Sequence, residues 1–216
     1  AVGRLKSFKA LPERLQPQLS SLQQQALTEL KTVFSQRDTC LLPGVTSSGK
    51  TAVYIELIKN VLAEGKQVLY LLPEIALTTQ LMQRLGRVFG DKMGVYHSKF
   101  PDNERVETWL RQLSSEPFPL ILGVRSALLL PFQNLGLIIV DEEHEASYKQ
   151  QDPAPRYHAR DTALVLAQRC CAKVLLGTAT PAVETYYNVQ KGKFGFVEMH
   201  QRFGDLQMPQ ILVEDV

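Results

Sequence analysis

Apolar and polar residues follow two alternating patterns along this chain. Short runs that are apolar at consecutive positions are typical of strands buried on both faces. Longer segments repeat an apolar residue every three to four positions, which is the helical period. The runs that predict strands are 39–42, 67–72, 93–96, 120–122, 137–140 and 173–176, and the segments that predict helices are 22–34, 50–64, 74–89, 102–115, 157–171 and 181–191. This alternation predicts an α/β fold with a mostly parallel sheet covered by helices on both faces.

Polar or glycine-containing segments directly follow most of the predicted strands. Ligands of parallel sheets sit where the strands end, outside their carboxyl termini. These segments are 44–51, 73–74, 123–126, 141–144 and 177–180. We therefore expect them to meet along one functional edge of the sheet.

Composition excludes several classes of protein. The 216 residues are 44% hydrophobic with a net charge of +2, which does not by itself indicate a nucleic-acid partner. No apolar segment approaches the roughly 20 residues that span a bilayer, and no signal-peptide pattern is present. Of the three cysteines, Cys170 and Cys171 are adjacent, which suits neither a disulfide framework nor a C-x-x-C metal site. We therefore expect buried, reduced thiols in a cytoplasmic protein.

A glycine-containing loop follows the first predicted strand. Its residues Gly44-Val45-Thr46-Ser47-Ser48-Gly49-Lys50-Thr51 match G-x-x-x-x-G-K-[S/T], the phosphate loop of nucleotide-binding proteins. The glycines let backbone amides face phosphate oxygens, and the helix that starts near Lys50 directs its positive dipole end at the same oxygens. Lys50 is then expected to contact the β- and γ-phosphates, and the Thr51 hydroxyl to bind Mg²⁺.

An acidic sequence, Asp141-Glu142-Glu143-His144, follows the predicted strand 137–140. Asp141 at the strand end is expected to hold Mg²⁺ directly or through water. Glu142, one residue further, is expected to polarise the attacking water as general base. The alternative interpretation is an acidic helix start after a strand, and the phosphate loop upstream favours catalysis.

These motifs resemble those of a known group of enzymes. The segments 44–51, 141–144 and Gly177-Thr178-Ala179-Thr180 resemble motifs I, II and III of superfamily 2 helicases. Further blocks resemble the PriA family of bacterial replication-restart helicases (primosomal protein N′), namely 72–78, 123–128 with Pro131-Phe132, and 147–151 with 156–161. The resemblance extends over about residues 19 to 190.

The resemblance implies a RecA-like P-loop NTPase lobe, the first of two in a DExH-type DNA helicase that uses ATP and Mg²⁺ and moves 3′ to 5′. Such enzymes bind single-stranded and forked DNA and work with primosome proteins, single-stranded-DNA-binding protein and replicative-helicase loading factors. Residues 1–18 are then expected to be a linker from a winged-helix domain, 19–196 the lobe, and 197–216 a connection towards the second lobe. A Zn²⁺ module and the arginines of the second lobe are expected beyond Val216, so the lobe alone is expected to be inactive.

The resemblance also implies roles for individual residues. Gln23 matches a glutamine that reads adenine in this family, although Ser20-x-x-Gln23 fits a helix capping box equally well. Arg125 and Ser126 match a motif that contacts the backbone of single-stranded DNA, and 148–161 matches an aromatic-rich loop that senses DNA and couples it to hydrolysis. The residues assigned to DNA binding or coupling are Arg125, Ser126, Tyr148, Lys149, Arg156, Tyr157, His158, Arg160, Thr178 and Thr180.

Two features of the chain depart from the family pattern. The sequence Asp152-Pro153-Ala154-Pro155 stands where a Gly-Trp pair is usual, and Ser47 stands where glycine is usual. Because aromatic faces stack on any base, bases are expected on Tyr148 or Tyr157. The alternative is that both tyrosines pack in the core and the loop is only a connector.

Two other classes of function fit part of the sequence. Another superfamily 2 DNA translocase, of the branch-migration or restriction type, would share motifs I to III, but the blocks 147–151 and 156–161 argue against it. A nucleotide-binding switch without motor activity would share the phosphate loop. A second lobe after Val216 would distinguish a motor from such a switch.

Overall fold

The structure, a computed structural model, describes residues 18–45, 49–74, 76 and 78–199. Helices and strands alternate through this part of the chain. The helices are α1 (Ser21–Gln36), α2 (Lys50–Ala63), α3 (Thr79–Phe89), α4 (Asp102–Leu113), α5 (Ala159–Cys170) and α6 (Val183–Gln190). The strands are β1 (Thr39–Pro43), β2 (Gln67–Leu71), β3 (Met93–Tyr96), β4 (Leu120–Gly123), β5 (Leu135–Asp141), β6 (Lys173–Thr178) and β7 (Gly195–Phe196). Within the same ranges, no helix is both long and apolar enough to cross a membrane.

All the strands join one sheet in the order β3-β4-β2-β5-β6-β1-β7, and every pair is parallel. This confirms the predicted α/β class. The register sets Leu71 beside Gly123, Asp141 beside Gly177, and Pro43 beside Thr178. The segments that follow β1, β2, β4, β5 and β6 therefore start along one edge of the sheet, as the sequence predicted.

Two hydrophobic cores enclose the sheet because successive side chains of a strand point to opposite faces. One core includes Leu42 and Ile139 and packs under α1, α2 and α3. The other includes Leu41 and Val140 and packs against α5. These four side chains have no exposed surface, and such burial contributes roughly 1.5–3 kcal/mol each. The double burial explains why the runs are apolar at consecutive positions, and it gives the functional edge a rigid base.

Several boundaries differ from the predicted ones. Helix α3 begins at Thr79 rather than Glu74, because the Thr78 hydroxyl caps it by accepting a hydrogen bond from the Leu81 N–H at 3.3 Å. Helix α6 begins at Val183, two residues after the Pro181 expected to open it. The expected burial of the thiols is correct for Cys40 but wrong for Cys171, which is exposed because it caps the end of α5.

The sheet also continues past the expected end of the lobe at residue 196. Strand β7 was missed because two residues are too few to show a pattern. After it, the N–H groups of Val197 and Met199 donate to the carbonyls of Leu41 and Pro43, so the described part of the lobe extends to residue 199.

Candidate active site

The phosphate loop leaves β1 and enters α2 at the functional edge. Gly44 donates its N–H to the carbonyl of Thr178 at 2.9 Å, which ties the start of the loop to the end of β6. Lys50 is the first residue of α2, and its buried ammonium donates to the Gly44 carbonyl at 2.7 Å. An ammonium has three N–H donors, so this bond leaves capacity for phosphate oxygens. Half-buried Val45, Gly49 and Thr51 flank the predicted positions Thr46, Ser47 and Ser48, which lie outside the described residues.

Gln23 lies against the far end of the phosphate loop. Gly49 has φ +83°, a left-handed conformation that favours glycine, and a Cβ there would collide with the Gln23 amide nitrogen. Gln23 Oε1 accepts the Ser20 N–H at 2.9 Å, while the Gln23 N–H donates to Ser20 Oγ at 3.3 Å. The capping box is therefore confirmed. Because the amide nitrogen faces the loop, the cap does not exclude adenine recognition, which stays a prediction.

Two buried tyrosines hold the carboxylate of Asp141 at the end of β5. Tyr54 of α2 donates its hydroxyl to Oδ1 at 3.1 Å, and Tyr70 of β2 donates to Oδ2 at 3.0 Å. Burial and the neighbouring charge of Glu142 raise the pKa of Asp141 to about 6, against the opposing effects of Tyr70, Lys50 and Tyr54. Burial, followed by the charge of Asp141, also raises the pKa of both tyrosines, so they remain donors. The carboxylate is thus fixed in one orientation.

Thr51 and Asp141 fit the predicted Mg²⁺ site by chemistry and charge. Both offer oxygen, which Mg²⁺ prefers, and Mg²⁺ is usually bound by one or two protein oxygens together with water and substrate phosphates. Burial and the charge of Glu142 make the ionised form of Asp141 unfavourable, which raises its pKa. A divalent cation at this position would stabilise the ionised form. The described residues contain no group of three or more His, Cys, Asp or Glu side chains able to hold a metal ion. The predicted Zn²⁺ module concerns residues beyond Val216 and stays a prediction.

Glu142, the predicted general base, occupies an unusual turn. Its φ of +47° lies in the left-handed region, which few residues other than glycine adopt. Its N–H donates to Asp141 Oδ1 at 3.2 Å, and its carboxylate lies 3.8 Å from His144 Nδ1. His144 Nδ1 is in turn 2.7 Å from Thr178 Oγ1, which also bonds to the backbone of Thr180. Thr178 is buried, so its position suits coupling between the two motifs rather than contact with DNA.

Glu143, which the sequence did not single out, is held by hydrogen bonds as fully as Asp141 is. Its side chain has no exposed surface. Oε1 accepts the Ala182 N–H at 2.7 Å, and Oε2 accepts the Thr185 hydroxyl at 2.8 Å and Arg160 Nη1 at 3.1 Å. Its own N–H donates to the Gly177 carbonyl at 3.0 Å. Glu143 therefore joins β6, the first turn of α5 and the start of α6.

The start of the predicted DNA-sensing loop is held by two side chains. Arg125 Nη1 donates to the carbonyls of Ser147 and Lys149 at 2.9 and 3.0 Å, so in this structure it positions the loop. Tyr148 is buried and donates its hydroxyl to the Asp141 carbonyl at 2.6 Å. Base stacking on Tyr148 is therefore wrong for this structure, because its ring has no exposed face. The hydroxyl instead connects the loop directly to the end of β5.

The rest of the loop forms a small hairpin with an exposed tip. Lys149 pairs with His158, and the Gln150 N–H donates to the Tyr157 carbonyl at 2.9 Å. Lys149 Nζ donates to the Arg156 carbonyl at 2.6 Å. Residues 151–156 are exposed and Tyr157 is half-buried, so DNA contacts at Arg156 and Tyr157 stay predictions.

Three other residues assigned to DNA contact are buried or half-buried. Arg160 is buried and paired with Glu143, so the expected phosphate contact is wrong for this structure, because its guanidinium is already bound. The residues Ser126 and His158 are half-buried, and among the residues that the structure describes Ser126 Oγ and His158 Nδ1 are buried atoms without a hydrogen-bond partner. Burial and the charge of Arg160 lower the pKa of His158, which favours a neutral imidazole.

Sequence reasoning also missed the tyrosines that hold Asp141, although a signal was present. Tyr54 follows Lys50 by four residues and therefore lies on the same face of α2. Tyr70 interrupts an otherwise aliphatic strand, and a buried phenol usually finds a hydrogen-bond partner. An acid at the end of a neighbouring strand is such a partner.

Comparison with known proteins places these motifs among helicases. Residues 20–189 match the DEAD/DEAH box helicase family. Replication restart protein PriA of Haemophilus influenzae is 48% identical over 183 residues, which are 84% of this chain and 25% of that protein. PriA of Bacillus subtilis is 43% identical over 176 residues, which are 82% of this chain and 22% of that protein. The chain thus spans about a quarter of the length of these curated relatives.

Solved structures share the fold at much lower identity. RecG bound to a three-way DNA junction is 17% identical with a TM-score of 0.64, covering 90% of this chain and 25% of RecG. The helicase Lhr of Mycobacterium smegmatis, bound to single-stranded DNA and AMP-PNP, is 19% identical with a TM-score of 0.55, covering 84% of this chain and 28% of Lhr. This likeness concerns the fold alone, and it confirms the RecA-like α/β architecture.

Proposed function

Because the chain belongs to the DEAD/DEAH box helicase family, we propose that it is the ATP-binding lobe of a DNA helicase that restarts replication at stalled or abandoned forks. The proposal is carried by the 41–48% identity to replication restart proteins over most of the chain. The enzyme moves 3′ to 5′ in the bacterial cytoplasm, binds single-stranded and forked DNA, and works with primosome proteins, single-stranded-DNA-binding protein and replicative-helicase loading factors.

The proposed chemistry follows from the phosphate loop and the acidic motif, which lie at the functional edge. Lys50 exchanges its bond to the Gly44 carbonyl for the β- and γ-phosphates of ATP. Thr51 and Asp141 would hold Mg²⁺, which would neutralise charge on the transferred phosphoryl group. Glu142 accepts a proton from the attacking water as general base.

The hairpin after the acidic motif carries the groups that contact DNA in this proposal. Its exposed tip, residues 151–156, ends with the cationic side chain of Arg156. It lies beside the cationic Lys149 and the half-buried ring of Tyr157. Cationic groups that follow the backbone, together with an aromatic face, suit single-stranded DNA of any sequence. The Tyr148 hydroxyl connects this hairpin to Asp141, so a DNA-induced shift has a short route to the catalytic acids.

The alternative of a branch-migration or restriction-type motor has weaker support. RecG and the restriction-modification enzyme LlaBIII share the fold at 17% identity each, with TM-scores of 0.64 and 0.57. Such identity does not carry a function, whereas the identity to replication restart proteins is more than twice as high.

The test uses a whole polypeptide that carries this sequence. Its ATP hydrolysis should rise with single-stranded DNA, and it should unwind a duplex with a 3′ single-stranded tail faster than one with a 5′ tail. Hydrolysis by the 216-residue chain alone should be at least about 10³-fold slower, because a second lobe supplies the arginines that stabilise the transition state.

Steady-state ATPase and strand-displacement assays measure these quantities. Equal rates from the two tailed duplexes would contradict the proposed direction. Rapid DNA-stimulated hydrolysis by the 216-residue chain alone would contradict its role as one half of a two-lobed site.

A further inference from the structure

Glu143 is a charged side chain in a place where charge is costly. Its carboxylate is fully buried and accepts three hydrogen bonds, from Arg160 in α5 and from Ala182 and Thr185 at the start of α6. Buried ion pairs can often be replaced by well-packed apolar residues without loss of stability. Stability alone therefore does not explain a buried carboxylate here, and its contacts with separate segments of the chain point to a role in geometry.

The contacts of Glu143 lie between the catalytic acids and the proposed DNA-facing hairpin. Glu143 directly follows Glu142, so its anchoring fixes one end of the strained turn in which Glu142 sits. Arg160 lies two residues after His158, where the hairpin closes by pairing with Lys149. A shift of the hairpin that moves the start of α5 is thus transmitted through one ion pair to the residue beside the general base.

The other two donors extend this connection to the segment after β6. Ala182 and Thr185 follow Thr180, whose N–H donates to Thr178 Oγ1. Thr178 Oγ1 is also 2.7 Å from His144 Nδ1. The Glu143 carboxylate therefore joins two elements, the first turn of α5 and the start of α6.

We propose that Glu143, through its buried pair with Arg160, is a positioning residue that couples DNA binding at the hairpin to the placement of Glu142. This rests on the proposed function, because it requires hydrolysis to be stimulated by DNA. Arg160 acts in this scheme as the internal partner of Glu143 and not as a contact for phosphates.

The test compares Glu143→Gln with Asp161→Asn in a whole polypeptide that carries this sequence. Gln keeps the size of the side chain and an acceptor for the Ala182 N–H, but it removes the charge that pairs with Arg160. Asp161 is the exposed second partner of Arg160, at 3.1 Å from Nε, so its substitution is a matched control for loss of an arginine partner. We measure the ratio of DNA-stimulated to DNA-free ATP hydrolysis, the equilibrium affinity for single-stranded DNA, and the melting temperature.

Glu143→Gln should lower the stimulation ratio by about two- to thirtyfold while DNA affinity changes little. Asp161→Asn should keep the wild-type ratio. A purely structural role would lower the melting temperature and reduce both rates in proportion, which leaves the ratio unchanged and overturns the inference.

A second variant decides the outcome if Glu143→Gln does not fold. Arg160→Lys keeps the charge but loses the planar fork that reaches Glu143 and Asp161 together, so its stimulation ratio should also fall. An unchanged ratio in Arg160→Lys overturns the inference. If ATP hydrolysis by the wild-type enzyme is not stimulated by DNA, both the proposed function and this inference fail. If the wild type is stimulated and the variants keep the same stimulation ratio, only this inference fails.

Discussion

The phosphate loop, residues 44–51, and the acidic segment, residues 141–161, lie at the same edge of the sheet but are organised differently. In the phosphate loop, the ammonium of Lys50 binds the carbonyl of Gly44 six residues earlier in the chain. In the acidic segment, Asp141 accepts one hydrogen bond from the adjacent Glu142 N–H, but the other donors to the carboxylates of Asp141 and Glu143 are 17 to 87 positions away. One region holds its key side chain by a local contact, whereas the other is assembled from distant elements.

This difference suits the phosphate loop to binding the nucleotide and the acidic segment to catalysing its hydrolysis. A single lysine–carbonyl bond can be exchanged for phosphate oxygens when nucleotide enters, because an ammonium has three N–H donors and no fixed orientation. A carboxylate fixed by two tyrosines, as Asp141 is, cannot reorient without breaking both bonds. We therefore expect substitutions in the acidic segment to affect structure and coupling, and substitutions in the phosphate loop to affect mainly affinity.

The largest effect is expected from Tyr148→Ala, which removes a buried side chain of the acidic segment. Loss of a large aromatic side chain from a core costs about 3–5 kcal/mol. In a domain of this size that corresponds to a melting temperature lower by about 10 °C. Thermal unfolding of the 216-residue chain, followed by circular dichroism, measures it.

Tyr157→Ala is the matched control, because that ring is half-buried and lies in the same hairpin. Its melting temperature should fall by only about 2–4 °C, which corresponds to about 1 kcal/mol. Equal losses for the two variants would show that the hairpin packs as one unit and would contradict the distinction drawn between its two tyrosines.

The next prediction distinguishes the two regions by the effects of one substitution in each on nucleotide binding and on ATP hydrolysis. In a whole polypeptide that carries this sequence, Glu142→Gln should still bind nucleotide but hydrolyse ATP about 10²-fold more slowly, because the general base is lost. Lys50→Ala should weaken nucleotide binding itself, because a cation that contacts the β- and γ-phosphates is lost. Titration with a fluorescent nucleotide and steady-state ATPase assays give the two quantities.

Glu145→Gln makes the same chemical change three residues after Glu142 and should leave both quantities near wild type. Wild-type hydrolysis in Glu142→Gln would remove Glu142 from the role of general base. Unchanged nucleotide affinity in Lys50→Ala would show that the Gly44–Lys50 bond persists in the complex.

The sequence predicted the fold and the location of the site because both depend on local signals. Apolar runs marked strands whose two faces are buried, and polar segments at strand ends marked the functional edge. The phosphate loop and the acidic motif are likewise contiguous, so Lys50 and Asp141 were placed correctly at that edge. The fold class and the location of the site can therefore be predicted from the order of residues along the chain.

The partners of individual side chains could not be predicted in the same way. An arginine such as Arg160, next to a loop, has the same sequence context whether it meets a DNA phosphate or a buried carboxylate. Tyr148 was expected to meet DNA, but its ring fills the core beneath β5. The position of Glu143 between Glu142 and His144 concealed that its partners come from α5 and α6. Which side chain meets which depends on how distant elements pack.

The last prediction, with a smaller effect than the two before it, concerns the free-energy cost of keeping Asp141 charged between Tyr54 and Tyr70. Burial and Glu142 raise the pKa of Asp141 from 3.8 to about 6. A carboxyl whose pKa is higher in the folded state stabilises that state at low pH, and the contribution is lost as the pH rises from about 4 through about 6. Asp141→Asn removes this charge while keeping the shape of the side chain. Above pH 6 the variant should therefore melt at a higher temperature than wild type.

We expect the difference at pH 8, in metal-free buffer without nucleotide, to be about 3–6 °C, which corresponds to about 1–2 kcal/mol. It should shrink towards pH 4.5, where wild-type Asp141 is protonated. Asp152→Asn, which changes an exposed carboxylate in the hairpin tip, should give no such pH dependence. Adding Mg²⁺ should narrow the gap at pH 8, because the cation relieves the charge only in wild type. A variant that is less stable than wild type at every pH would mean that the two tyrosine hydrogen bonds outweigh the cost of the buried charge.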